Sequence, residues 1–112
     1  AFYHTDGAAY PLVPDLIECG IDVLNPVQWR CAGMDRERLK REFGSSVVFH
    51  GGVDNQRTLP FGTPDDVRRE VRDNIRILGE GGGYVLAPCH NIQPITPVEN
   101  ILAMYDEAGR PG

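Results

Sequence analysis

The sequence predicts an α/β fold in which four βα units supply parallel strands, as in the C-terminal half of a TIM (β/α)₈ barrel. Short apolar runs alternate with helical patterns, and the runs begin roughly 20 to 37 residues apart, the spacing of βαβ crossovers. The length of 112 residues is close to half of the about 250 that a complete barrel takes. An open four-stranded α/β sheet is the alternative.

The four apolar runs are rich in β-branched and aromatic residues, which favour strands. The third and fourth runs are nearly continuous in apolar character, as expected of parallel strands that are covered on both faces. A parallel sheet is therefore favoured over a meander of hairpins. The predicted strands span residues 2–4, 21–25, 47–50 and 84–88.

The helices between the strands are marked by their first residues. Thr63 and Pro64 begin one that ends at Gly79, residues 96–99 form a capping box for the last one, and Asp35 caps a shorter one. The predicted buried stripes are Val67, Val71, Ile75 and Leu78 in the first of these helices and Ile101, Leu102 and Tyr105 in the last.

Composition and charge exclude several classes of protein. The 11 Lys and Arg residues against 16 Asp and Glu give a formal charge of −5, whereas binding to a nucleic acid backbone requires a basic face. No apolar run approaches the ~18 residues that a membrane span needs. Three cysteines without paired spacing predict reduced thiols. We therefore expect a cytoplasmic protein that binds a small molecule rather than nucleic acid or a membrane.

Polar residues gather at one end of the predicted sheet. All three histidines fall at or just beyond the C-terminal end of a predicted strand, where the following loops form the rim that faces the ligand. Gly51 and Gly52 would let the backbone approach a ligand closely, and Asp54 would orient a polar group, accept a proton or cap its loop. The candidate catalytic residues are His50, Asp54 and His90, and the candidate ligand-binding residues are Asn25, Gln28, Gly51 and Gly52.

His4 and Asp6 form a candidate metal site with the end of the last strand. Residues at positions i and i+2 of a strand point to the same side, so both would face the mouth while Cys89 or His90 approaches them. Three such ligands leave a fourth position for a substrate, the arrangement of a catalytic zinc. The alternative is that these side chains only form hydrogen bonds at the strand ends.

Three segments, residues 50–54, 83–94 and 96–101, resemble the end of the uroporphyrinogen decarboxylase superfamily, and the resemblance covers essentially the whole chain. The superfamily includes uroporphyrinogen decarboxylases and corrinoid-linked methyltransferases, both single-domain (β/α)₈ barrels. The resemblance therefore implies that residues 1–112 form one partial domain, the C-terminal half of such a barrel. The absence of an initiator Met, and a first segment that already resembles the interior of a strand, agree with this expectation.

Residues 3–7 resemble the methyltransferase pattern His-X-Cys-Gly, in which His and Cys bind zinc and a Cys of the last strand completes the set. Asp6 stands where that pattern has its first Cys, and Cys89 or His90 matches the remaining ligand. This branch implies methyl transfer, assisted by zinc, between a corrinoid and a thiol-type acceptor. It also implies a corrinoid protein as a partner.

Two alternatives stay open beside the methyltransferase branch. The decarboxylase branch needs no cofactor and has a histidine in its last loop, which His90 matches, so that His90 would serve as proton donor or carboxylate partner for a tetrapyrrole. The other alternative is a half-barrel without catalysis that acts as an assembly or binding unit. The unpaired sheet edges of an isolated half-barrel predict self-association, and we expect the fragment alone to be inactive.

Overall fold

The computed structural model describes residues 2–4, 9–31, 33–90 and 92–109. Its strands form one sheet in chain order, and each strand pairs in parallel with the next. The predicted α/β fold with parallel strands is therefore confirmed, although the second strand begins at Val23 rather than Ile21. The strands are β1 (Phe2–His4), β2 (Val23–Asn25), β3 (Val48–Val53) and β4 (Tyr84–Pro88).

Helices follow the strands and cover one face of the sheet. A 3₁₀ turn (Tyr10–Leu12) leads directly into the first of them. The helix after β3 was not predicted, because four residues are too few to show a helical period. Among the described residues, no helix combines the length and the apolar character needed to cross a lipid bilayer. The helices are α1 (Val13–Glu18), α2 (Arg36–Phe43), α3 (Thr58–Phe61), α4 (Pro64–Leu78) and α5 (Val98–Ala108).

The two faces of the sheet differ in how they are covered. Leu24 of β2 and Phe49 of β3 are fully buried in a core that the helices share. On the opposite face, Phe2 and Val85 are 57% and 46% exposed. In a complete barrel this second face lines the interior, so its exposure here is the expected result of having four strands. A second apolar cluster holds α4 and α5 together and contains Val53, Leu59, Val67, Val71, Ala103 and Met104.

Helices α2 and α4 begin as predicted. The Asp35 carboxylate caps α2 by accepting a backbone hydrogen bond, and Thr63 and Asp66 accept from each other's backbone N–H in a capping box. Caps of this kind stabilise a helix by about 1 kcal/mol. The buried face of α4 consists of Val67, Glu70, Val71, Asn74, Ile77 and Leu78. The predicted stripe is wrong at Ile75, which is exposed.

The predicted capping box of α5 is wrong. Pro97 is the N-cap residue and its side chain accepts no capping hydrogen bond, while the backbone N–H of Thr96 donates to the Gln93 carbonyl in the preceding turn at 3.0 Å. Thr96 therefore lies two residues before the helix begins at Val98. Its side chain is buried and its Oγ1 has no hydrogen-bond partner among the described residues.

Helix α5 also turns a different face to the core from the one predicted. Leu102 and Tyr105 are 63% and 64% exposed. The rotation of the helix is fixed near its start, where the Asn100 amide donates to the carbonyls of Leu59 and Gly62, each at 2.8 Å. The apolar stripe of α5 would have favoured a different rotation of the helix. These two hydrogen bonds outweigh it, because an amide N–H left unpaired in the core is costly. The buried residues are Asn100, Ala103, Met104 and Glu107.

Strand β3 continues through Gly51 and Gly52, which were expected in the loop after it. The Gly51 carbonyl accepts a hydrogen bond from the Tyr84 hydroxyl at 2.5 Å, and the Gly52 carbonyl accepts from Trp29 Nε1 and Asn74 Nδ2, each at 2.8 Å. A Cβ added at Gly52 would lie 2.8 Å from the Tyr84 oxygen. The loop interpretation is therefore corrected: the groups that approach these two glycines closely belong to the protein itself.

Substitution of Gly52 by Ala is expected to destabilise the fold more than substitution of Gly82. Both glycines have similar φ angles, +93° and +90°, so a side chain strains each backbone by about 1–2 kcal/mol. Only at Gly52 does the added methyl group also meet packed atoms, at a further cost of roughly 1–3 kcal/mol. Urea unfolding followed by circular dichroism measures the difference, and equal losses in the two variants would contradict this account.

Candidate functional site

Three polar side chains form a row across the open face of the sheet, at the mouth. The parallel register places His4 opposite Asn25, and the next strand brings His50 beside Asn25. His4 Nδ1 lies 2.5 Å from Asn25 Oδ1, and His50 Nδ1 lies 2.6 Å from Asn25 Nδ2. Two candidate catalytic or metal-binding histidines are thus joined by a candidate ligand-binding residue.

The Asn25 amide determines which nitrogens of the two imidazoles carry protons. Its Nδ2 also donates to the His50 carbonyl at 3.3 Å, which fixes the amide with Oδ1 toward His4. His4 Nδ1 must then donate its proton to Oδ1, and His50 Nδ1 must accept from Nδ2. In its neutral form His4 therefore has its lone pair on Nε2, the arrangement that ligating histidines take when their other nitrogen is held by an oxygen.

His90 lies two residues beyond β4 and beside His4, with 6.4 Å between the ring centroids. Both rings line an open cleft of about 450 Å³, which we call the histidine cleft. The first and last strands of the described sheet therefore bring their histidines to the same place. The residues that line the histidine cleft are His4, Asn25, Pro88, Cys89, His90 and Ile92.

Cys89 is a much less suitable metal ligand than its neighbour His90. Its side chain is buried, and its Sγ donates a hydrogen bond to the Val27 carbonyl at 3.3 Å. Burial raises the pKa of the thiol to about 12, so it stays protonated at neutral pH. The part of the chain that the structure describes contains no group of three His, Cys, Asp or Glu side chains arranged to hold a metal. Asp6, the remaining candidate ligand, lies outside the described residues.

His50 and Asp54 do not face the histidine cleft in the way the sequence suggested. His50 lies in the middle of β3, because that strand continues to Val53, and its ring packs edge-on against Phe2 with 5.3 Å between centroids. Asp54 is buried: one oxygen accepts the backbone N–H of Gln56 at 3.0 Å and the other lies 2.6 Å from Arg30 Nε. Capping the loop is therefore the role that the geometry gives to Asp54.

Glu70 and the exposed Arg30 form, with Asp54, a charged cluster with two buried carboxylates that sequence reasoning missed. Glu70 accepts hydrogen bonds from the Asp54 backbone N–H at 2.7 Å and from the Thr58 hydroxyl at 2.8 Å. Arg30 Nη2 donates to Thr58 Oγ1 at 3.1 Å and lies 3.5 Å from the Glu70 carboxylate. The cluster ties the loop after β2 to α3 and α4. The sequence signal that could have revealed this cluster is Glu70, a charged residue one helical turn after Val67 on the buried face of α4.

A second cleft of about 680 Å³ shares His90 with the histidine cleft, and we call it the amide cleft. The candidate ligand-binding residue Gln28 lines it, whereas Gly51 and Gly52 are enclosed by protein atoms. Asn55 and Gln56, which were not among the predicted site residues, also belong to it. The described residues that line the amide cleft are Gln28, Cys31, Asn55, Gln56, Pro60, Phe61, His90, Gln93 and Ile95.

The free energy of unfolding should depend on pH through Glu70. Burial raises the pKa of this carboxyl above the ordinary value of 4.5, so the folded chain binds more protons than the unfolded chain above that pH. Stability therefore falls as pH rises from about 4.5 to the raised pKa. We expect Glu70→Gln to flatten this fall in urea titrations at a series of pH values. Glu99→Gln, at an exposed position, is the control, and an unchanged pH profile in Glu70→Gln would contradict the assignment.

Comparison with known proteins places the chain among relatives of two activities. It is 31% identical over 101 residues to the methylcobamide:CoM methyltransferase MtaA of Methanosarcina barkeri, covering 90% of this chain and 28% of that protein. It is 29% identical over 72 residues to a uroporphyrinogen decarboxylase of Coxiella burnetii, covering 64% of this chain and 19% of that protein. The chain thus spans less than a third of the length of these relatives.

A solved structure of a methyltransferase from Methanosarcina mazei superimposes with a TM-score of 0.75 at 27% identity, covering 94% of this chain and 29% of that one. Its agreement supports the barrel-type arrangement of parallel strands described above. The family model for uroporphyrinogen decarboxylase (URO-D) matches residues 1–110. With nearly every residue of the sequence inside that match, this chain belongs to the uroporphyrinogen decarboxylase family.

Proposed function

We propose that the chain contributes the histidine side of the active site in a barrel enzyme that transfers a methyl group between a corrinoid and a thiol-type acceptor. The observation that carries the proposal is the position of His4 beside His90 at the mouth, with His4 held by Asn25. The similarity to MtaA and to the Methanosarcina mazei methyltransferase supports the same branch of the family. The corrinoid would be a substrate or would belong to a partner corrinoid protein.

The donors at the mouth fit a zinc ion in part. His4 and His90 supply two imidazole nitrogens, which zinc accepts readily. Asp6 is the sequence candidate for a third ligand, and His90 is preferred to Cys89 because the Cys89 thiol is buried and donates a hydrogen bond to the Val27 carbonyl. Asn25 would act as the positioning residue, since it holds His4 Nδ1 and fixes the orientation of the ring. When bound, zinc would lower the pKa of a substrate thiol.

Decarboxylation of a tetrapyrrole is the second candidate function, and a specific observation favours keeping it. His90 lines both clefts, so its ring is placed to meet a substrate lying across the mouth. In that function His90 would hold and donate a proton and no metal would be needed. The similarity to uroporphyrinogen decarboxylases supports this alternative.

Zinc binding by the purified chain tests the first function against the second. His4→Ala and His90→Ala are each expected to lower the affinity for Zn²⁺ at least about tenfold, because each removes one of the nitrogen ligands. Cys89→Ala should keep the affinity within about twofold, because the thiol is hydrogen-bonded inside the protein. Competition with a chromophoric chelator measures these affinities without any assay of activity.

Two results of that titration would overturn the assignment. Loss of zinc in Cys89→Ala with retention in His90→Ala would exchange the roles of the two neighbours. Failure of the unaltered chain to bind zinc would remove the methyltransferase proposal in favour of decarboxylation. A shared loss in all three variants, accompanied by a changed circular dichroism spectrum, would instead indicate unfolding, and His4→Gln and His90→Gln would then replace the alanine variants.

We also propose that the isolated chain is inactive and self-associates through the open face of its sheet. Val85 is 46% exposed on this face and pairs in register with His50. The open face of a second copy of the chain would cover both side chains. Val85→Glu is expected to lower the average mass in sedimentation velocity at high concentration. Ile75→Glu, which places the same charge on the exposed side of α4, should leave the mass unchanged. A monomeric unaltered chain would contradict the proposal.

A further inference from the structure

An open cleft of about 430 Å³ is lined by α4 and by the segments that follow β2 and β3, and we call it the arginine cleft. It shares no residue with the histidine cleft. Four guanidinium groups line it against three carboxylates, although the whole chain has a formal charge of −5. An excess of positive charge in a cleft raises the local concentration of anionic ligands. The arginines are Arg30, Arg36, Arg57 and Arg69.

The three carboxylates of the arginine cleft are already engaged within the protein. Asp66 caps α4 and lies 3.7 Å from Arg69. Asp73 lies 3.5 Å from Arg76, and Glu70 belongs to the charged cluster described above. Among the described residues, no ion pair joins any of these carboxylates to the other two arginines of the cleft, which are Arg36 and Arg57.

Two guanidinium groups of the arginine cleft are therefore left without a compensating negative charge. Arg36 Nη1 donates to the uncharged amide oxygen of Asn74 at 2.7 Å, and its guanidinium carbon lies 4.1 Å from the ring centroid of Trp29. These contacts hold the side chain in place and leave its other N–H groups without an anionic acceptor. Arg57 is exposed, and its guanidinium forms no hydrogen bond or ion pair with the described residues.

We propose that the arginine cleft binds the dianionic phosphate group of a phosphate monoester through Arg36 and Arg57. Two uncompensated guanidinium groups match a dianion, whereas a single carboxylate would neutralise only one of them. The planar guanidinium donates two parallel N–H bonds to phosphate oxygens, which makes arginine well suited to phosphate recognition. Phe61 lines the same cleft, is 71% exposed and offers an apolar surface to the organic part of the ester. This ligand is additional to those of the proposed function.

Isothermal titration calorimetry of the whole chain with inorganic phosphate and with phenyl phosphate, at low ionic strength, tests the site. Both probes should bind at one saturable site, and phenyl phosphate at least about threefold more tightly, because its ring contacts Phe61. Phe61→Ala should remove that difference and keep the affinity for inorganic phosphate within about twofold. Absence of saturable binding would overturn the proposal. Equal affinities in the unaltered chain would overturn the ester and make free phosphate the ligand.

Arginine variants separate a specific site from general attraction of anions. Arg57→Gln is expected to lower the affinity for both probes about tenfold, the loss of a charge-assisted hydrogen bond. The melting temperature of the ligand-free chain should stay the same, because the Arg57 guanidinium has no described partner to lose. Arg41→Gln removes the same charge from an exposed residue of α2 outside the cleft and should keep the affinity within about twofold. Equal weakening in the two variants would overturn the assignment.

Arg36→Lys tests the bidentate recognition, because it keeps the positive charge but lacks the planar fork. Weaker phosphate binding with an unchanged circular dichroism spectrum is expected. Unchanged affinity would make Arg36 a structural residue that only supports Trp29, and would overturn its role in binding. If the spectrum changes, Arg57→Lys makes the same comparison. Zinc and corrinoid are absent from these titrations, so their failure leaves the proposed function intact, and a chain that binds the phosphate probes but no zinc refutes only the metal-assisted function.

Discussion

The hydrogen bonds to the carbonyls of Gly51 and Gly52 attach three other segments of the chain to β3 near the mouth. Through them Tyr84 of β4, Trp29 of the loop after β2 and Asn74 of α4 are all attached to β3. A side chain at Gly52 would displace two of these groups. His50 lies directly before these two glycines in β3 and Asp54 lies two residues after Gly52, so both residues border the part of β3 that these hydrogen bonds fix.

Charged and uncharged groups are kept apart around the mouth. Arg30 pairs with the carboxylates of both Asp54 and Glu70, and Glu70 also accepts a hydrogen bond from the Asp54 backbone N–H. The described linings of the histidine cleft and the amide cleft contain neither carboxylates nor arginine or lysine side chains. The described lining of the two clefts therefore consists of imidazole, amide, thiol and apolar side chains.

The sequence predicted the parallel sheet and most caps because those features depend on local pattern. It failed where a polar contact between distant residues decided the outcome. Asn100 rotates α5 away from its apolar stripe by bonding two carbonyls of another helix segment, and no periodicity records such a bond. The alternatives Cys89 and His90 could not be separated in sequence either. Both residues line the histidine cleft, but the Cys89 thiol is buried and bonds the Val27 carbonyl, whereas His90 also lines the amide cleft.

The surroundings of the histidine pair also bear on which chemistry it performs. A histidine that donates a proton near neutral pH must be held as an imidazolium, and a neighbouring carboxylate is the usual means of stabilising that charge. A metal ligand must instead be neutral, with its second nitrogen fixed by an oxygen. Asn25 gives His4 the hydrogen bonding of a metal ligand. Its amide oxygen accepts a hydrogen bond from His4 Nδ1–H but carries no negative charge. Among the described residues the lining of the histidine cleft contains no carboxylate, so an uncharged amide, that of Asn25, orients the His4 ring.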